Sequence, residues 1–207
     1  MNEQFLDLPK EKQSAIINAA LEVFSKNEYK RAVTEDIAAK AGISKGLLFY
    51  YFHNKKSLYF YLMEYSIQLM MEQLIDEKYK SIKDFFELLE YVTHKKAAIL
   101  VKNPYIYDFI MRAYFEVNNL ADGDAGAALQ NKLSGSYAEY LSGIDFSKFR
   151  QDVNPQDIFN MIFWLADGYI HDKRNKGIPI VIDEMVAEYK KWTVLIKRSA
   201  YKEEFLE

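Results

Sequence analysis

Residues 34–58 read TEDIAAKAGISKGLLFYYFHNKKSL, and this stretch decides the fold. A short helical pattern ends at Ala41 and Gly42, a brief turn follows, and a second helical pattern begins at Ser44. Gly42 suits the turn, because glycine tolerates the positive φ with which a chain leaves a helix. The layout predicts a helix-turn-helix, whose second helix is of the kind that enters a groove of double-stranded DNA.

Residues that favour helix starts surround this stretch. Thr34, Ser44 and Asn54 can each accept a backbone hydrogen bond, so we expect them to cap the second, third and fourth helices. A first amphipathic helix is expected over residues 10–26, and the fourth is expected to run from Asn54 to about residue 79. A fourth helix of that length leaves no flexible linker after the helix-turn-helix.

The rest of the chain also has a helical pattern. Only 4 Pro and 8 Gly interrupt it, and the two-residue alternation of strands is scarce. Further helices are expected near residues 83–101, 104–118, 124–142, 155–174 and 180–200. We therefore predict an all-α fold with two domains, a DNA-binding head over residues 1–56 and a larger helical domain over residues 57–207.

Composition restricts the kinds of site the chain can hold. The sequence has no Cys, which excludes disulfides and thiolate metal sites, and its three His lack metal-ligand spacing. No apolar run has the length of a membrane span, and no secretory leader pattern opens the sequence. We therefore expect a cytoplasmic protein without membrane contact, metal or cofactor.

Charge is distributed unevenly along the chain. The net charge is −3 overall, but residues 1–56 hold nine Lys or Arg against seven Asp or Glu, a net of +2. The remaining residues carry a net of −5, the difference between −3 and +2. The head therefore has the only balance that favours DNA phosphates, and its excess is small.

Candidate DNA contacts cluster at the predicted second helix and just beyond it. Side chains at the start of an inserted helix reach base edges, and backbone N–H groups, hydroxyls and lysines reach phosphates. The candidates are Thr34, Ser44, Lys45, Gly46, Leu47, Phe49, Tyr50, Tyr51, His53, Asn54 and Lys55. Phe49 and Phe52 can instead be packing residues, His53 can be a plain loop residue, and Lys56 is expected only to be solvated.

The same residues resemble those of the TetR (tetracycline-repressor-like) transcriptional regulators. The matching signs are AALEVF in the first helix, TEDIAAKAGISKG, the pair Leu48 and Phe52, and NKKSL. The resemblance covers about the first 60 residues and implies a dimeric repressor whose divergent C-terminal domain binds a small ligand. Two positions depart from the family pattern: Glu28 stands where a Gly is usual, with Asn27 as its replacement, and Phe49 stands where a phosphate-binding Tyr is common, with Tyr50 beside it.

Two C-terminal segments are candidates for a dimer interface. Residues 158–170, IFNMIFWLADGYI, are apolar nearly all round and need cover on two sides, and the last helix has a matching apolar stripe. The candidate interface residues are Ile158, Ile162, Leu165, Tyr169, Met185, Tyr189, Trp192 and Ile196. The alternative is that these helices form the core of a monomer; a two-fold four-helix interface is the hypothesis.

Aromatic residues suggest an effector pocket in the same domain. The chain has 16 Tyr, 14 Phe and 2 Trp, and an apolar cavity with a few hydroxyls would suit a small, largely apolar effector. The candidate lining residues are Met70, Phe86, Tyr105, Phe109, Tyr114, Tyr137 and Trp164. Taken singly, each of them is more typical of ordinary core, and the pocket itself is an implication of the family resemblance.

A ligand-responsive repressor that binds a palindromic operator as a homodimer is therefore the function predicted. The fourth helix would connect the head to the pocket and transmit the effect of the ligand. An enzyme is not expected, because no nucleophile, phosphate loop or metal motif is present. A helical binding or scaffold protein without operator recognition is the alternative, and it would lack a steep salt dependence of DNA binding.

Overall fold

The computed structural model describes residues 3–120 and 141–206, and these are helical throughout except for turns and one isolated bridge between Phe149 and Tyr201. Three short 3-10 turns lie at Glu3–Phe5, Phe146–Lys148 and Glu203–Phe205. The helices, numbered in chain order, are α1 (Lys10–Lys26), α2 (Thr34–Lys40), α3 (Lys45–Phe52), α4 (Lys55–Leu74), α5 (Glu77–Ser81), α6 (Phe85–Lys102), α7 (Ile106–Leu120), α8 (Pro155–Asn175) and α9 (Ile182–Ala200). The all-α prediction is confirmed for the described residues.

Two of the three predicted caps are present. The Leu47 N–H donates to Ser44 Oγ at 3.1 Å, and the Ser57 N–H donates to Asn54 Oδ1 at 2.8 Å. Thr34 does not cap α2: the helix already includes it, and the extended residue before it is Val33, which has no side-chain acceptor. The start of α2 therefore depends on packing more than on a side-chain cap.

The head is built on a continuous apolar core. Ile16, Ala20 and Phe24 of α1 are buried together with Ile37 of α2 and Leu48 of α3. The same core includes Leu58, Tyr59, Leu62 and Met63 of α4 and Ile106, Phe109 and Ala113 of α7. Helices that follow the head in sequence therefore supply part of the core on which the head is folded.

The fourth helix is shorter than the sequence predicted. It ends at Leu74, and a separate short helix, α5, begins after Asp76. Asp76 has an extended backbone, accepts a hydrogen bond from the Tyr79 N–H at 2.8 Å and from the Tyr91 hydroxyl at 2.6 Å, and pairs with Lys95. A carboxylate held in this way caps a new helix and stops the previous one.

The chain divides into two compact units. One comprises residues 1–73 and 99–137, and the other comprises residues 74–98 and 138–207. The first unit contains the whole predicted head together with nearly all of α4, so the division at residue 56 stays a prediction. In the second unit α8 and α9 are neighbours: the rings of Tyr169 and Trp192 lie 5.7 Å apart, and Lys173 pairs with Glu184 at 3.1 Å.

Candidate nucleic-acid interface

The turn between α2 and α3 depends on Gly42. Its φ is +67°, which an L-residue with a Cβ rarely adopts, and its N–H donates to the Ala39 carbonyl at 3.2 Å. The Ile43 N–H donates to the Ala38 carbonyl at 3.0 Å. These two bonds satisfy carbonyls at the end of α2 and turn the chain at once into α3.

The inner face of α3 fixes its orientation. Leu48 and Phe52 are completely buried, as is Ile37 on α2. Tyr51 is also buried, and its ring packs edge-on against Phe5 at 5.8 Å. Packing of this kind on one side holds the opposite side of α3 in a defined position, as a reading helix requires.

The outer face of α3 is open to solvent. Ser44, Lys45 and Gly46 are exposed at its first turn, Leu47 is 37% exposed and Tyr50 is 48% exposed. Ser44 and Lys45 carry polar groups, and Gly46 has no side chain. Leu47 and Tyr50 are able to contact a thymine methyl or a sugar. Phe49 is partly buried, with Lys45 Nζ 5.7 Å from its ring centroid.

Packing within the chain does not require glycine at position 46. A Cβ added there would meet only Ser44 Oγ, at 3.9 Å, which is ordinary contact. Glycine inside a helix destabilises it by about 1 kcal/mol relative to alanine. The space in front of this residue therefore remains open for another molecule to approach the backbone closely.

The start of α4 presents a second group of candidate contacts beside α3. His53 and Asn54 are exposed, and His53 has a φ of +63°, which makes the bend from α3 into α4. Lys55 Nζ lies 4.8 Å from the centroid of the Tyr29 ring and 3.4 Å from the Lys30 carbonyl oxygen. Burial lowers the pKa of Lys55. Its ammonium is thus held in place at a positive helix end, which suits a phosphate.

Glu35 joins this surface, although it is not among the contacts predicted from the sequence. Its Oε1 accepts a hydrogen bond from Lys45 Nζ at 2.5 Å, and its Oε2 accepts one from Thr34 Oγ1 at 3.2 Å. The hydrogen bond from Lys45, with further bonds from its own backbone and Thr34, holds the pKa of Glu35 below its ordinary value. No sequence pattern joins residues 35 and 45, because the turn creates their proximity.

The predicted contact residues differ in their accessibility. The surface formed by α3, the bend and the start of α4 exposes Ser44, Lys45, Gly46, Leu47, Tyr50, His53 and Asn54, and it leaves Phe49 and Lys55 partly buried. Thr34 and Tyr51 are buried instead. Asn27 has an extended backbone with φ −128°, so the expectation that it replaces a left-handed glycine is wrong.

The N-terminal sequence matches a known family. Residues 16–62 match the family model described as "Bacterial regulatory proteins, tetR family". Residues 16–62 therefore form a domain of the TetR type. The match covers most of α1, all of α2 and α3 and the start of α4, and so includes the whole surface described above. No curated protein matches the sequence.

Solved structures of transcriptional and metabolic regulators share the fold over nearly the whole chain. A TetR family transcriptional regulator from Chloroflexus aurantiacus has a TM-score of 0.66 and 22% identity, covering 97% of this chain and 98% of that one. The fatty acid degradation regulator FadR from Bacillus halodurans has a TM-score of 0.64 and 19% identity, over 90% of this chain and 95% of that one. FadR from Bacillus subtilis, solved with stearoyl-CoA, has a TM-score of 0.62 and 20% identity, over 88% and 96%. The fold is therefore of the TetR type beyond the matched domain.

The predicted pocket residues are in different surroundings. Phe109 is fully buried in the head core, and Met70 and Tyr105 are partly buried against the same core. Phe86 belongs to the second unit and packs edge-on against Tyr201 at 5.0 Å. Trp164 is 62% exposed, so within one chain it encloses no cavity. The Tyr114 side chain and Tyr137 lie outside the described residues.

Two polar side chains of the second unit, Lys96 and Tyr189, were not among the predicted pocket residues, although Tyr189 was predicted at the dimer interface. Burial lowers the pKa of Lys96 on α6 to about 8 and raises that of Tyr189 on α9 to about 12. Both side chains nevertheless keep intermediate accessibility. Because solvent still reaches both side chains, these two residues are candidates for polar contacts to a ligand.

An exposed apolar face runs along α8 and α9. Met161, Trp164 and Leu165 follow each other at helical spacing on α8, and Val194 and Leu195 are exposed on α9. Of the predicted interface residues, Leu165 lies on this face, Tyr169, Met185, Tyr189, Trp192 and Ile196 are partly buried, and Ile158 and Ile162 are buried within the chain. The exposed apolar face therefore shares only Leu165 with the predicted interface, and its other residues are neighbours of the predicted ones in sequence.

A metal site and a membrane-spanning helix are both absent from the described part of the chain. Within residues 3–120 and 141–206, no group of acidic and histidine side chains could hold a metal ion. Across the same described ranges, no helix is long and apolar enough to cross a membrane.

Proposed function

We propose that the chain is a transcriptional regulator that binds a DNA operator through the outer face of α3. The observation that supports this most strongly is the two-sided character of α3. Its inner face is locked in the core by Leu48 and Phe52, and its outer face leaves Lys45, Leu47 and Tyr50 in solvent. A short helix that only supported the fold would have no need of an accessible, chemically mixed outer face.

The start of α4 supports the same proposal. Lys55 lies at a helix N-terminus beside the recognition helix, and its ammonium is held by the Tyr29 ring. In this arrangement α3 reads base edges while Lys55 anchors the head on a phosphate, which fixes register without reading sequence. Tyr50 supplies a hydroxyl at the position next to Phe49.

The regulator is proposed to act as a homodimer. The exposed face of Met161, Trp164, Leu165, Val194 and Leu195 places large apolar side chains in water, and a second copy would cover it by two-fold packing of α8 and α9. Two heads related by a two-fold axis require a palindromic operator. Repression is the regulatory sense proposed.

A small effector is proposed to control operator binding from the C-terminal part of the chain. FadR from Bacillus subtilis was solved with stearoyl-CoA, which shows that this fold can hold a long acyl ligand. In the present chain Lys96 and Tyr189 would supply polar contacts to a largely apolar effector. A ligand that prefers a form with wrongly spaced heads lowers operator affinity by the extent of that preference.

Titration of DNA with the purified protein at several salt concentrations tests the proposed function. A fluorescent mixed-sequence duplex of about thirty base pairs is suitable, because phosphate contacts are independent of sequence. We expect affinity to fall steeply as salt rises, with a slope set by the number of phosphates contacted. A protein that binds no duplex at low salt, or whose binding is insensitive to salt, contradicts the proposal and favours a helical binding protein without operator recognition.

A further inference from the structure

The surface proposed to face DNA contains a carboxylate, Glu35, whose position is unexpected for such a surface. Its side chain is 57% exposed at the first turn of α2 and pairs with Lys45, which is itself 49% exposed on α3. A negative group here repels phosphate, and the head has a net charge of only +2 with which to attract DNA. The carboxylate therefore weakens binding that depends on charge alone.

The contacts of Glu35 define where Lys45 is held. One carboxylate oxygen accepts from Lys45 Nζ at 2.5 Å, and the other accepts from the buried Thr34 Oγ1 at 3.2 Å. Thr34 is part of the packed start of α2, so its hydroxyl restrains the carboxylate, and the carboxylate restrains the ammonium. Lys45 is also 5.7 Å from the Phe49 ring, on its own helix.

We propose that Glu35 is a specificity-determining positioning residue, which holds Lys45 so that it engages a base edge in preference to a phosphate. The inference depends on the proposed DNA-binding function of α3. To bind a phosphate, Lys45 must leave or share a carboxylate that already satisfies its charge. Guanine offers two acceptors, O6 and N7, on one edge in the major groove, and so competes better for a lysine held above it.

The size of the effect follows from the exposure of the pair. Ion pairs between exposed side chains contribute little free energy. Loss of the pair between Glu35 and Lys45 therefore corresponds to a change in DNA affinity of about two- to five-fold. The expected consequence of removing the Glu35 charge is therefore a modest gain in binding to all DNA and a smaller gain for the operator. The ratio of operator affinity to mixed-sequence affinity then falls.

The test compares Glu35→Gln with Asp36→Asn. Asp36 is exposed on the next residue of the same helix turn, so both variants change the net charge by the same amount. Dissociation constants are measured for a mixed-sequence duplex and for the duplex that the wild-type protein selects from a random pool, and thermal unfolding confirms that both variants are folded. We expect Glu35→Gln to lower the affinity ratio by about two- to five-fold, and Asp36→Asn to leave it unchanged.

A double-mutant cycle with Lys45→Met shows whether Glu35 acts through Lys45. In the Lys45→Met background Glu35→Gln is expected to have no effect on the affinity ratio, because the ammonium it positions is gone. An effect of equal size in both backgrounds, or a Glu35→Gln variant that behaves like Asp36→Asn, overturns the inference. A wild-type protein that binds no duplex in a salt-dependent manner contradicts the proposed function instead, so the two failures are distinguishable.

Discussion

Phe109 of α7 packs against Phe24 of α1, with their ring centroids 6.2 Å apart, and Tyr59 of α4 contacts both rings. The Arg112 Nε, one turn further along α7, donates to the Ser25 carbonyl at 3.3 Å. The head core is thus completed by a helix about eighty residues away in sequence. A shift of α7 would therefore act on α1 as directly as a shift of α4 would. Both helices are routes by which an effector could alter the head.

The first prediction concerns this core. Phe109→Ala removes a fully buried ring and should lower the free energy of unfolding by about 3–5 kcal/mol. Thermal and urea unfolding followed by circular dichroism measure the change. Leu6→Ala, at an exposed position in the same unit, is the control and should change stability by less than about 0.5 kcal/mol. Equal stability of the two variants would show that α7 does not support the head.

The second prediction contrasts two glycines of the helix-turn-helix. Gly42→Ala places a Cβ at φ +67° and should destabilise the fold by about 1–2 kcal/mol. Gly46→Ala meets no close atom and should stabilise α3 by up to about 1 kcal/mol. If DNA approaches the backbone at Gly46, the same variant loses operator affinity while gaining stability. Unchanged affinity would mean that the glycine makes no close approach.

The third prediction concerns the phosphate anchor. Lys55→Ala should weaken binding to all duplexes by a similar factor, and the slope of log affinity against log salt should fall by about one. Lys56→Ala is the matched control: its ammonium lies 5.7 Å from the Phe60 ring, and we expect it only to be solvated. Anisotropy titrations at four or five salt concentrations provide both slopes. An equal fall of the salt slope in both variants would show that Lys55 contributes no more than Lys56 to phosphate binding.

The fourth prediction concerns the dimer. Leu195→Glu puts a charge on the most exposed large apolar residue of the α8–α9 face, where the native side chain is 64% exposed. In sedimentation velocity at micromolar concentration the wild type should be a dimer and this variant a monomer. Leu6→Glu introduces the same charge on an exposed residue of the other unit and should stay dimeric. A monomeric wild type contradicts the two-fold interface.

The fifth prediction concerns Lys96, on α6 in the second unit. Burial lowers the pKa of Lys96 from 10.5 to about 8. Below pH 8 the lysine is charged in both states, so the burial penalty is present in full; between pH 8 and 10.5 the unfolded state binds more protons, and stability rises with pH. Lys96→Met should therefore stabilise the protein at pH 7 and remove this rise.

Urea unfolding at pH 7, 8, 9 and 10 measures the difference between the variant and the wild type. Lys191→Met, which removes an exposed lysine of α9, is the control for the loss of one lysine. A Lys96→Met variant that parallels the wild type over this range would show that the pKa of Lys96 is not lowered in the folded protein.

The sequence predicted the head well because its signals are local. The turn at Gly42 and the caps at Ser44 and Asn54 each depend on residues within a few positions, and the structure has all three. The end of α4 was predicted wrongly, because Asp76 is held by Tyr91 and Lys95, which are distant in sequence. Long-range side-chain contacts of this kind leave no periodic signal.

The candidate sites show the same distinction. Helical spacing placed an apolar stripe on α8 and α9, but it could not tell that Ile162 is covered by its own chain while Leu195 is not. Likewise, Glu35 and Lys45 are brought together only by the geometry of the turn. Residue type and spacing identify the recognition helix, whereas the partners of its side chains require the structure.

Selection of duplexes from a random DNA pool by the purified protein, followed by sequencing, tests the central claim most directly. The protein should retain duplexes that share one palindromic sequence, and Lys45→Met should change the base preferred at a symmetric pair of positions. Retention of no common sequence at low salt would contradict the assignment of α3 as a reading helix.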